Sequence, residues 1–282
     1  MAKSLLIVGV GFMGGSFALA LRRGGFKGSI YGVDIKPETI DKAEELGVID
    51  RGGTELELVQ EIEPDYVVLA SPVRTFRGIV RNVKPFLKEG AVITDLGSVK
   101  GKLVYELEEQ LGSRFVGSHP IAGTEKSGVE HSFAELFEGK KVVITPTEST
   151  NKEALEEVVS LWKLTGGRVE FMDPMLHDWV FGAVSHLPHA IAFALIDALI
   201  EMSDGVDLFK YPGGGFKDFT RIAASDPVMW RDIFLENRDN VLKAIEVYKN
   251  SLQKLKELIE DEREEELTEY LKEAKQRRLS LE

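Results

Sequence analysis

His119 is the side chain whose type and setting most invite chemistry. It lies in Ser118-His119-Pro120-Ile121-Ala122-Gly123, directly after the β-type run Phe115–Gly117. Oxidising an alcohol by hydride removal requires a group to take the hydroxyl proton, and imidazole does this near neutral pH. The sequence holds 5 histidines. His131 sits in a polar stretch and reads as surface. His177 and His186 fall on or near a long apolar helix and read as core or interface residues. His189 follows Pro188 inside that helix, where a proline frees a carbonyl and bends the chain, so its ring faces a cavity or a partner helix. Lys217, Arg221 and Arg231 supply either cations for a carboxylate or a solvated helix face. There are 0 cysteines, which removes thiol catalysis, disulfides and thiolate ligands, and no metal is expected.

A second constellation binds rather than reacts. Gly9-Val10-Gly11-Phe12-Met13-Gly14 ends the first β run and opens the first helix. Gly9 permits a tight turn, Gly11 lets the backbone approach a pyrophosphate, and Gly14 lets helix and strand pack closely. The phosphates of a dinucleotide then meet the N–H groups at the helix start, with Phe12 and Met13 in its first turn. The next β run ends at Asp34, placed to accept from ribose hydroxyls and to repel a 2′-phosphate, which selects NAD over NADP. Ser71-Pro72 follows the third apolar run and Asp95-Leu96-Gly97-Ser98-Val99-Lys100 the fourth, where ligands gather in such sheets. Ser98 either reaches the nicotinamide and the reacting hydroxyl or caps the helix near Lys100.

These groups need a scaffold that delivers them to one edge. Up to Met172, β-rich runs at Leu5–Val10, Ser29–Val33, Tyr66–Ala70, Ala91–Thr94, Phe115–Gly117, Val142–Thr145 and Arg168–Phe171 alternate with helical patterns. That alternation predicts an α/β fold, a Rossmann doubly wound and mainly parallel sheet, over residues 1–172. After Asp173-Pro174 the β signals stop. Met175–Met202 reads as one long helix, apolar around most of its circumference and therefore covered on several sides. Residues 173–282 are expected to form an all-helical second domain, with Gly213–Gly215 as a helix connection rather than a phosphate cradle.

The 282 residues carry a net charge of −12, which argues against nucleic acid and anionic membranes as partners. The apolar start is too short for a signal peptide or a membrane span, so the expected location is cytoplasmic.

Taken together, Gly9–Gly14 with Asp34, Asp95–Lys100, Ser118–Gly123, Ser185-His186-Leu187-Pro188-His189 and Phe216-Lys217-Asp218-Phe219-Thr220-Arg221-Ile222-Ala223 resemble the prephenate dehydrogenase family. The resemblance runs from the first residue to about residue 250. It implies NAD-dependent oxidative decarboxylation of prephenate to 4-hydroxyphenylpyruvate in tyrosine biosynthesis. It also implies a homodimer formed by the helical domains, with the active site between the two domains. By position, His119 would accept the ring hydroxyl proton and Ser98 would hydrogen-bond both that hydroxyl and His119. Arg221 would grip a substrate carboxylate with help from Lys217, and His189 would place the side chain. Thr124, Glu125 and Asp178 would form a polar shell and gate, and Trp230 would line the neighbouring subunit's site.

No added catalytic or regulatory domain is expected around this core, so inhibition by tyrosine would act at the active site. Arogenate dehydrogenase is the nearest rival reading. A β-hydroxyacid dehydrogenase would look for a lysine on the long helix, and Met175–Met202 contains none. A dimeric NAD sensor without catalysis would leave His119 and Arg221 without a role.

Overall fold

The structure is a computed structural model that describes residues 3–124 and 126–281. Strands β1 (Leu5–Val8), β2 (Ile30–Val33), β3 (Arg51–Gly53), β4 (Tyr66–Leu69), β5 (Val92–Asp95), β6 (Phe115–Pro120), β7 (Lys141–Thr145) and β8 (Arg168–Phe171) form one sheet in the order β3-β2-β1-β4-β5-β6-β7-β8. The helices of this part are α1 (Phe12–Arg23), α2 (Pro37–Glu45), α3 (Leu58–Ile62), α4 (Phe76–Val83), α5 (Gly101–Leu111) and α6 (Lys152–Leu164). The sheet is doubly wound because alternate residues of each strand feed opposite cores. Leu5, Ile7, Val68 and Val92 pack with Phe17 and Leu21 of α1 and Trp162 of α6. Leu6, Val8, Val67 and Ile93 pack instead with Phe76 and Val80 of α4 and Leu103 and Leu107 of α5. Burial of each such side chain stabilises the fold by about 1.5–3 kcal/mol.

Every strand pair is parallel except β6–β7. Strand β6 pairs with β5 through Phe115 and Val116, then turns its upper half, Gly117–Pro120, to antiparallel β7. His119 therefore lies within a strand, paired with Val143, and not in the loop after one. The strand signal stopped at Gly117 because serine, histidine and proline are poor strand formers. Strand β3 and helix α3 also escaped the sequence pattern. Arg-Gly-Gly has no apolar alternation, and a five-residue helix shows too little of a period.

The chain order leaves β1 and goes outward to β2 and β3, then returns to β4 on the other side of β1. That reversal makes the crevice above β1 and β4 the place where an open α/β sheet takes its ligand.

Beyond the sheet come α7 (Pro174–Phe181) and α8 (Leu187–Met202), joined without a break by a π-helical turn over Gly182–His186. Asp173 starts α7 by accepting from the N–H groups of Met175 and Leu176, with Pro174 in the first turn. Pro188 has no N–H for the ladder, and the wider turn precedes it. The long helix is confirmed, but its expected covering is not. Ala192 is the one buried residue of α8, and 11% of the most apolar window of Pro174–Met202 is buried. This stretch is long and apolar enough to span a bilayer by length and composition alone. Helices α9 (Gly214–Thr220) and α10 (Pro227–Glu236) follow, and Gly213 and Gly214 open α9 as a helix connection.

By packing, the chain forms two compact units, one ending at Arg238 and the other starting at Asp239. The second holds most of α11 (Arg238–Glu260) and α12 (Glu264–Leu279). Their junction is a Schellman stop: Glu262 takes a left-handed φ of 51°, while Arg263 N–H donates to Leu258 and Glu262 N–H to Ile259.

Candidate active site

The glycine turn is built to be approached. Gly9 has φ +99°, and a Cβ there would lie 2.6 Å from the Ser71 nitrogen, so the loops after β1 and β4 touch at the switch point. A Cβ on Gly14 would lie 2.2 Å from the Gly9 carbonyl oxygen, whereas a Cβ on Gly11 would meet nothing within 4 Å. That open space, at the start of a helix with no side-chain cap and no acid in its first turn, fits a pyrophosphate. At the end of β2, Asp34 accepts from the N–H groups of Val10 and Lys36 at 3.1 Å each. These two bonds orient the carboxylate over the glycine turn and leave it lone pairs for ribose hydroxyls. Ser71 is half-buried and its hydroxyl meets that of Thr75 at 2.7 Å, with Pro72 exposed beside it.

The loop after β5 is a rigid floor. Asp95 and Lys100 form an ion pair with both side chains 1% exposed. Asp95 also accepts from Gly97 N–H at 2.8 Å and from Ser118 N–H at 3.0 Å. Burial pushes the Asp95 carboxyl up and the Lys100 ammonium opposes it. The Ser118 hydroxyl accepts from Trp162 Nε1 at 3.0 Å. The residue preceding His119 is thus held from both flanking strands and from α6.

His119 is partly buried. Its Nδ1 lies 2.9 Å from Nε2 of His177 on α7, and His177 Nδ1 lies 2.9 Å from Asp178 Oδ1. Asp178 Oδ1 also accepts the Lys100 N–H at 2.7 Å. Phe181, one turn on from His177, packs edge-on to His119 at 4.9 Å and tilted on His177 at 4.5 Å. Burial lowers the His119 imidazole well below its usual range, with His177, Lys100 and His186 adding to the effect. Burial also takes His177 to about 2 and His186 to about 4, and pushes Asp178 up to about 6. At pH 7 these imidazoles are neutral, the state a general base needs.

From there a row of polar groups leads towards α9. Asn237 Nδ2 donates to the Asp178 carbonyl at 2.7 Å and lies 3.1 Å from His186 Nδ1. His189 Nδ1 donates to the Ser185 carbonyl at 2.9 Å, and its ring stacks on Trp230 at 3.6 Å. The Arg221 guanidinium, on the short turn after α9, helps lower the His189 imidazole below its usual value, behind burial as the main cause. Lys217 lies one turn before Arg221, exposed on α9.

Two placements differ from expectation. Among the described residues no hydrogen bond joins Ser98 to His119, whose Nδ1 meets His177 Nε2 instead. Asp178 is 3% exposed and held by two donors, so it is a fixed support rather than part of a gate. Trp230 is buried against His189 of its own chain. Arg231 is paired with its neighbour Asp232. Thr124 is exposed and its hydroxyl accepts the Lys126 N–H at 3.2 Å, and Glu125 lies outside the described residues. His177 reads as a core or interface residue and is fully buried, but nothing in an apolar helix pattern reveals which strand its imidazole will meet.

A glycine turn at the switch point, an acid beyond β2 and a neutral imidazole along the same strand edge make this protein a dinucleotide-dependent dehydrogenase. The comparisons narrow that class. The family model described as "Prephenate dehydrogenase, nucleotide-binding domain" matches residues 17–171, and "Prephenate dehydrogenase, dimerization domain" matches residues 173–273. A Bacillus subtilis prephenate dehydrogenase is 37% identical over 280 residues, covering 98% of this chain and 75% of that protein. A Zymomonas mobilis cyclohexadienyl dehydrogenase is 34% identical over 288 residues, covering 99% and 96%. The crystal structure of an Aquifex aeolicus prephenate dehydrogenase with hydroxyphenyl propionate and NAD+ is 64% identical, with a TM-score of 0.97 and coverage of 100% and 99%. The chain belongs to the prephenate dehydrogenase family.

Proposed function

We propose that the chain oxidatively decarboxylates prephenate to 4-hydroxyphenylpyruvate, with NAD as oxidant, in tyrosine biosynthesis. The observation that carries this reading is the neutral imidazole of His119, held by a second imidazole at the ligand edge of a sheet with an open glycine turn. NAD, when bound, supplies the hydride acceptor. The glycine turn and Asp34 hold the dinucleotide, assisted by Phe12, Met13, Ser71 and Pro72, and His119 Nε2 takes the proton of the ring hydroxyl as the carbon bearing it is oxidised. The carboxylate on the opposite ring carbon departs as carbon dioxide, and its bonding pair completes an aromatic ring. With so strong a drive, alignment and the base are what the protein must provide.

Arg221 and Lys217 face the substrate's second carboxylate, and His189 and Trp230 set the wall beside it. Ser98, half-buried on the floor loop, hydrogen-bonds the reacting hydroxyl. Thr124 and Glu125 belong to the rim. The division of labour falls at residues 1–172 for the cofactor and 173–282 for substrate and dimerisation. The half-exposed apolar face of α7 and α8 supports a homodimer in the cytoplasm rather than a membrane span, because His186, His189 and Asp197 interrupt the apolar stretch. Tyrosine shares the hydroxyphenyl ring and would compete at the same site; inhibition noncompetitive with prephenate would contradict that.

The cyclohexadienyl relative favours one second reading, turnover of arogenate, which carries an amino group in place of the keto group. Turnover of prephenate and arogenate, each with NAD and NADP, separates the readings. The highest kcat/KM is expected for prephenate with NAD. Cofactor binding without turnover of either acid would leave only a non-catalytic sensor.

A further inference from the structure

We infer that His177 is the positioning residue of this site: with Asp178 behind it, it fixes the tautomer of His119 so that Nε2 is the basic nitrogen presented to substrate. The inference rests on the proposed dehydrogenase reaction and deepens it.

The proton positions follow from the acceptors. Asp178 Oδ1 accepts the Lys100 backbone N–H at 2.7 Å and stands 2.9 Å from His177 Nδ1. An ionised carboxylate offers no proton, so His177 Nδ1 is the donor of that bond. A neutral imidazole with its proton on Nδ1 has Nε2 as an acceptor, and Nε2 lies 2.9 Å from His119 Nδ1. His119 Nδ1 must then carry its proton, and Nε2 is left with its lone pair. Every link is neutral except the terminal carboxylate.

The chain also serves the charged state. When His119 Nε2 takes the hydroxyl proton, its Nδ1–H···Nε2 bond to His177 becomes charge-assisted, and Asp178 polarises His177 from the far side. No proton need leave His119 for this to help, as in the orientation of a catalytic histidine by a buried carboxylate. The surroundings favour that division. Burial, with the Lys100 ammonium adding to it, disfavours a positive charge on His177. Phe181 packs on both rings, and His177 is fully buried.

The arrangement joins the two halves of the sequence. His119 comes from β6, while His177 and Asp178 sit on the first turns of α7, started by Asp173 and Pro174. The helical half therefore contributes to the chemical step as well as to substrate binding.

Two variants test this in the full-length protein. His177→Leu removes the acceptor at similar volume, and His177→Gln can place an amide oxygen near the position of the lost Nε2. For His177→Leu we expect kcat to fall roughly 10–100-fold, the usual weight of an outer partner of a functional histidine. KM for prephenate and the Kd for NAD should stay within about twofold, and His177→Gln should recover most of the loss. In 15N-histidine spectra, with His119 assigned by its absence in His119→Asn, wild type should show His119 protonated at Nδ1 alone. His177→Leu should show mixed tautomers. A folded His177→Leu protein with wild-type kcat, or one whose KM rises and NAD affinity falls along with the loss of kcat, would overturn the inference. So would a wild-type His119 carrying its proton on Nε2. If wild type turns over neither prephenate nor arogenate, the reaction itself is wrong, while the spectra still decide the tautomer.

Discussion

The edge of the sheet and the long helix facing it are built in opposite ways. Leu5, Leu6, Ile7, Val67, Val68 and Leu69 are all 0% exposed, and the polar groups between β5 and β6 are paired down to a buried Asp95–Lys100 bridge. The atoms that meet the cofactor are thus fixed by their own chain before any ligand arrives. On α8, by contrast, sixteen residues bury only Ala192, and Ile200 and Met202 are 60% and 67% exposed. In a single chain that apolar face stays open. The sheet edge is preorganised within its own chain and the α8 face is not, so damage to each should appear in different constants.

The contrast is sharpest for His119→Asn. If the sheet edge sets the chemistry independently of binding, turnover should fall by about two to four orders of magnitude, the weight of a general base. NAD affinity should stay as it was. A comparable loss of NAD affinity would mean that the strand edge is not rigid after all.

Arg221→Ala probes the other half. Losing a charge-assisted hydrogen bond to a carboxylate should raise the KM for prephenate by roughly one to two orders, with kcat little changed. Steady-state kinetics at saturating NAD read both constants. A fall in kcat at constant KM would move Arg221 from substrate binding to the chemical step.

What the sequence disclosed follows the same divide. The strands, the glycine turn and Asp34 were legible because a buried parallel sheet writes continuous apolar runs, and a pyrophosphate site demands glycine at fixed spacing. Arg221 was singled out from Lys217 and Arg231 only by the family resemblance, and His119 stood out by its place after a β run. The partner of His119 did not, since His177 and His119 are brought together by the packing of α7 on the sheet edge and no local period encodes that. Strand β3 was invisible for a different reason: Arg51–Gly53 holds its place by pairing with β2 and not by side-chain pattern. The expected cover on α8 was read from its apolar circumference, and a single chain leaves that face open.

Assembly gives the next test. Ile200→Asp places a charge on the exposed apolar face of α8, away from the site row. Burying that charge between two copies should loosen the dimer at least roughly tenfold. Sedimentation over a dilution series should show monomer appearing at higher concentration than in wild type, and the Tm should become more dependent on protein concentration. An unchanged monomer–dimer profile would show that this face is not what the second copy covers.

The smallest effect is expected where the sheet half only selects its cofactor. Asp34 accepts the N–H groups of Val10 and Lys36, so Asp34→Ser retains an acceptor for one of them and leaves the strand in place. It removes the negative charge that would repel a 2′-phosphate, and exposed Lys36 stands close by to attract one. The preference for NAD over NADP in kcat/KM should therefore fall about tenfold, which corresponds to the lower end of a hydrogen bond to a charged group. The change should come from both sides, a weaker KM for NAD and a stronger one for NADP, with kcat for prephenate nearly constant. An unaltered ratio would take Asp34 away from the ribose and leave cofactor choice to the backbone of the glycine turn, which cannot tell the two dinucleotides apart by charge.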